Sequence, residues 1–189
     1  MLQQERRSRT STSVTIPMTV RIARSLVLAW ALAAAAPLAL SAQAPAPAAT
    51  PAGVTTQVTA LTFEGARRIA AAAAEEAQRN NWGVSIAVVD PAGELMFFAR
   101  LDGAHQQSVD ISRAKARTAA RWRRETKSLE DAVAGGRTVL LAVEGMLPLE
   151  GGVPIIVDGK VLGAVGVSGV TSQQDAQIAR AGIRAVFPQ

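Results

Sequence analysis

His105 is the only histidine in the 189-residue chain, in the loop Asp102-Gly103-Ala104-His105-Gln106-Gln107 just ahead of a helix start. Imidazole is the commonest metal ligand among side chains and changes charge near neutral pH. With one histidine and no cysteine, a tetrahedral zinc centre has too few ligands, and thiolate chemistry is excluded. A serine hydrolase does not fit either. Gly166-Val167-Ser168-Gly169-Val170 lacks the final glycine of the Gly-x-Ser-x-Gly elbow. His105 is therefore either a single metal ligand or a solvated loop residue.

The other candidates are charged or small. Arg100, Lys115 and Arg117 could grip the carboxylate of an acidic ligand. Glu150, beside Gly151 and Gly152, could move protons as a general base, although no second acid accompanies it and a turn rim is the simpler reading. Gly163, Gly166 and Gly169 are spaced Gly-x-x-Gly-x-x-Gly, which is not the Gly-x-Gly-x-x-Gly of a dinucleotide loop. They read as a core strand that something approaches closely. Ser168 ends that strand, and the loop Val170 to Ser172 opens a helix whose free N–H groups could hold a carboxylate.

These residues need elements to carry them. Thr62 caps a first helix, Phe63 to Arg79, with an apolar stripe at Phe63, Ala66, Ala70, Ala73 and Ala77. Val84–Val89 is a buried strand, turned by Asp90-Pro91-Ala92-Gly93 into a second strand from Glu94 to Leu101. A helix follows from Ser108 to about Arg124. Ser128-Leu129-Glu130-Asp131 has the form of a capping box for a short helix ending at Gly135-Gly136. Residues 137–149 fit a strand or a helical turn. Two strands hinged at Asp158-Gly159 form a second hairpin. A last helix, capped by Thr171 with Gln174 or by Ser172 with Asp175, closes the chain. The result is an α+β domain: an antiparallel sheet of two hairpins with flanking helices.

Bulk properties mislead here until the N-terminus is set aside. Arg21 and Arg24 precede an almost wholly apolar run from Ser25 to Leu40, with small residues at Ser41, Ala42 and Ala44. That is the layout of a secretory signal peptide over residues 1–42, and Met18 is a candidate true start. The run is short for a membrane span and is broken by Pro37. Residues 43–59 read as an Ala/Pro-rich disordered tether, leaving 60–189 as a single domain. The chain carries 20 Lys+Arg and 15 Asp+Glu, a net of +5. Five of those basic residues and one acid lie within 1–42, so the remainder has 15 and 14, a net of +1. The basic helix Ser112 to Arg124 then reads as a solvated face, not a nucleic-acid surface. The expected product is a periplasmic or secreted protein that does not stay in the membrane after cleavage.

Four segments in this order resemble the GlcG-like family, also called the haem-degrading or haem-binding protein family. They are Ser85-Ile86-Ala87-Val88-Val89-Asp90 with Gly93; Arg100-Leu101-Asp102-Gly103-Ala104; Ser108-Val109-Asp110-Ile111 with Lys115-Ala116-Arg117-Thr118-Ala119; and Gly151-Gly152-Val153-Pro154-Ile155 through Gly163 to Gly169, with Gln174-Asp175 and Ala181-Gly182. The resemblance implies a PAS- or profilin-like layered domain that assembles into homo-oligomers, and it implies haem as cofactor. In some relatives a histidine on the first helix is tied to haem; here that helix has none, which moves the ligand role to His105, Met146 or Lys115. Three functions are expected in order: haem or tetrapyrrole binding, action on a small 2-hydroxy or 2-oxo acid, and an assembly module without ligand. The candidate contacts are His105, Arg100, Lys115, Arg117, Glu150, Gly151, Gly152 and Ser168.

Overall fold

The computed structural model describes residues 53, 54, 56 and 58–188. The expected signal peptide and most of the tether lie outside the described residues. From Thr62 onward the elements follow the order read from the sequence: α1 (Phe63–Arg79), β1 (Ser85–Val89), β2 (Leu95–Arg100), α2 (Ser108–Trp122), α3 (Thr126–Ala134), a 3₁₀ turn (Thr138–Ala142), β3 (Gly152–Val157), β4 (Lys160–Ser168) and α4 (Ser172–Val186). No helix among them is long and apolar enough to cross a membrane.

Local chemistry explains most boundaries. The Thr62 hydroxyl accepts from Gly65 N–H at 3.0 Å and starts α1. Asp158 and Gly159 both have positive φ, 49° and 72°, as a tight two-residue hairpin turn requires. Thr171 and Gln174 form a full capping box on α4, which realises the first of the two expected caps. One expectation fails. The Ser128 box is not formed, because α3 begins two residues earlier at Thr126. The Ser128 hydroxyl donates instead to the Glu125 carbonyl at 2.8 Å, and Asp131 pairs with Lys127 one turn back. The ambiguous stretch resolves as a 3₁₀ turn, with only Leu140 buried.

The four strands form one antiparallel sheet in the order β2-β1-β4-β3. Helices α1 and α4 cover one face, burying Ile69, Ala73, Ile178 and Ile183 against Ile86, Val88, Val165 and Val167. Helix α2 covers the other face with Ala116, Ala119 and Ala120 on Ala87, Val89 and Ala164. This second layer is thin because almost every side chain in it is a methyl group. Phe63 departs from its expected place in the α1 stripe: it is 63% exposed, and its ring sits 6.2 Å from that of Phe97 on β2.

Gly166 in β4 is the reason α2 can come so close. A Cβ there would run into the Ser112 carbonyl oxygen and the Ala116 backbone nitrogen. Backbone cannot swing aside as a flexible side chain can. Gly166→Ala is expected to lower the unfolding free energy by about 1–3 kcal/mol through overpacking, measured by urea denaturation; an unchanged midpoint would contradict this packing.

Candidate functional site

The most unusual pair in the molecule is Lys115 with Asp175. Lys115 projects from α2 on one face of the sheet, and Asp175 lies in the first turn of α4 on the other. Yet Nζ and Oδ2 are 2.8 Å apart, with the two side chains 1% and 2% exposed. The contact is possible because β3 is entered through glycine. A Cβ on Gly151 (φ 125°) would lie 2.7 Å from Lys115 Nζ and 2.9 Å from Asp175 Cβ. One on Gly152 would strike the Lys115 carbonyl. The two glycines leave a gap past which the lysine reaches its partner. Burial pushes the Asp175 carboxyl above its ordinary value of 3.8, and the opposing pull of Lys115, the Val170 N–H and His105 does not cancel it.

Polar groups surround this crossing. Thr126, buried at the start of α3, accepts from Gly152 N–H at 2.9 Å. Ser85 and Ser108 share a hydrogen bond of 2.8 Å between β1 and α2. Ser168, on β4, lies directly opposite Ser85 in the sheet register and is buried. Glu150 is 5% exposed. Its backbone N–H donates to Glu130 at 2.5 Å, while its own Oε2 is buried without a hydrogen-bond partner among the described residues. Its charge is felt at Arg180, which is held above its ordinary value by Glu125 first and by Glu150 last.

The remaining candidates lie elsewhere. Arg100 donates to the Ala104 carbonyl at 2.6 Å through Nη2 and to Gln106 at 2.8 Å through Nη1, so it braces the loop that carries His105. The His105 carbonyl accepts from the Ser108 hydroxyl at 2.6 Å. Its exposed ring has no hydrogen-bond partner among the described residues. Beside this loop, Gln78, Asn81, Trp82, Arg100, Leu101 and Asp102 border a cavity of about 460 Å³, with Trp82 and Leu101 packed on the core. Arg117 faces the first hairpin and contacts the Gly93 carbonyl at 3.4 Å. The structure thus gathers Lys115, Glu150, Gly151, Gly152 and Ser168 around the end of the sheet. It sets His105 on a solvent-facing loop, Arg100 at the end of β2 beside that loop, and Arg117 at the opposite turn.

Sequence reasoning missed Asp175 as the partner of Lys115, and missed Thr126 entirely. A signal for the lysine was present. Ser108, Ser112, Lys115 and Ala119 recur at helical spacing on the buried side of α2, and a lysine in such a stripe demands a buried acid.

Removing one member of a buried ion pair strands the other charge. Lys115→Met is therefore expected to cost about 3–5 kcal/mol of stability, while Lys115→Met with Asp175→Leu recovers most of it, by urea unfolding of both variants. The raised Asp175 carboxyl adds a pH dependence. The folded state holds that proton more tightly than the unfolded chain, so the contribution is complete below about pH 4 and is lost as pH rises through the folded value. The stability of the wild type relative to the double variant should fall as pH rises above about 4. A difference that grows with pH would refute the assignment.

Known proteins share this sequence and fold. Residues 61–184 match the family model described as "Haem degrading protein HbpS-like". Protein GlcG of Escherichia coli strain K12 is 52% identical over 108 residues, covering 57% of this chain and 81% of GlcG. A solved double mutant of HbpS from Streptomyces reticuli is 40% identical with a TM-score of 0.68, over 78% of this chain and 100% of that one. A PduOC domain solved as a haem complex is 30% identical with a TM-score of 0.62, over 69% of this chain and 96% of that one. With its fold, its ordered motifs and the match over residues 61–184 in agreement, the chain belongs to the HbpS-like family of haem-degrading proteins.

Proposed function

We propose that this is an exported haem-binding protein in which His105 faces the iron. The observation that carries the reading is the PduOC structure, a domain of the same fold that was solved with haem. The chain's own residues fit the group. His105 is exposed, and its ring is free of hydrogen bonds among the described residues, so an imidazole nitrogen would be available to a metal. The adjoining cavity offers apolar surface at Trp82 and Leu101 and polar groups at Gln78 and Asn81, the mixture that suits a flat apolar ligand with acidic substituents. Arg100 holds the loop in place and adds positive charge beside it. Haem bound here would supply a coloured, redox-active iron centre, with His105 as the side chain that would hold it. Export rests on the basic-apolar leader.

The small-acid reading draws less from the geometry. Lys115 is committed to Asp175, and Arg117 is turned toward the Gly93 carbonyl. Hemin titrated into the mature protein is expected to give a saturable, shifted Soret band. In His105→Ala the Kd should rise about tenfold or more, a loss of about 1.4 kcal/mol. An unshifted, non-saturable spectrum would sink the haem reading.

A further inference from the structure

We propose that the groove between the end of α2, edge strand β3 and α4 is a binding site for a small amphipathic carboxylate, with Arg124 and Arg184 taking the acid. The groove encloses about 310 Å³, at the lower end of what small-molecule sites occupy. Its floor is apolar: Val153 and Ile183 belong to the main core, Pro154 is buried beside them, and Ile156 is left 39% exposed at the rim.

The rim is cationic. Three arginines and one glutamate line the groove, a net of +2. Arg180 is bound to Glu125 through both Nε and Nη2, so this pair forms a fixed wall. Arg124 and Arg184 are different. Both are exposed, and among the described residues neither has an acidic partner. The one hydrogen bond of the Arg124 side chain there is a 3.4 Å contact from Nε to the Trp122 carbonyl. Arg124 is also presented by the chain path, because Arg123 takes a left-handed conformation (φ 53°) at the end of α2.

This combination selects a ligand class. Free guanidinium groups favour carboxylate, which they can bind through two parallel hydrogen bonds. A bare inorganic anion would leave the apolar floor wet, and a neutral hydrocarbon would leave the arginines unanswered. A cationic ligand is repelled. An acid with a short aliphatic or aromatic body satisfies both surfaces at once. The site uses neither His105 nor the Trp82 cavity, so it does not depend on the haem reading.

Octanoate is the probe, titrated calorimetrically into the full mature chain, with acetate and octan-1-ol as the charge-only and apolar-only controls. Saturable binding of octanoate at one site per chain is expected, with both controls at least tenfold weaker. Arg124→Gln with Arg184→Gln should weaken octanoate at least tenfold while leaving the circular dichroism spectrum unchanged, since both side chains are exposed. His105→Ala should bind octanoate normally, which separates this site from the haem site. Absence of saturation below the micellar range, equal binding of octan-1-ol or acetate, or unchanged binding in the double variant would each overturn the proposal.

Discussion

A single buried charge pair ties the two helical layers of the fold together past the end of the sheet. Lys115 and Asp175 come from helices on opposite faces and meet at 2.8 Å with almost no exposure. Neither charge is tolerable alone in that interior, so α2 and α4 must be placed together or not at all. The pair in turn dictates backbone: Gly151 and Gly152 are confined to glycine because any side chain there would meet the lysine or its carbonyl. The polar groups around it, Thr126 on Gly152 and Ser85 on Ser108, pair with one another where strand, helix and loop converge.

This arrangement explains why the residues that look most reactive are not the ones best placed for a ligand. A lysine, two glycines, a serine and a glutamate near one another suggest catalysis, yet the lysine is paired with Asp175 and the glycines give it clearance. The two proposed ligand surfaces lie outward from this centre. One is the loop of His105, braced by Arg100. The other is the groove walled by Arg180 and Glu125. Glu150 has a buried oxygen without a hydrogen-bond partner among the described residues, and its charge acts on Arg180 in the groove wall.

Much of the architecture was legible because it is local. The alanine stripe of α1, the Asp158-Gly159 turn and the Thr171 cap are each decided within a few residues, and all three appear as expected. Capping at Ser128 misled, since Glu125 offered its carbonyl and α3 could start earlier at Thr126. The site was harder to read. Lys115 and Asp175 are 60 residues apart, and no periodicity links them. Phe63 kept the helical phase of its stripe but is largely exposed, with the Phe97 ring beside it. Pattern fixes which way a residue faces, not how far its neighbours extend.

Edge strand β3 carries a consequence of its own. Pro154 interrupts it with a residue that has no N–H to donate, and its pairing with β4 slips between Ile155 and Ile156. A proline and a bulge on an outer strand are the means by which sheets avoid recruiting further strands. An extended polypeptide laid along this edge would find a missing donor and then a misaligned ladder. The sheet can therefore end openly beside a hollow without acting as a template for aggregation.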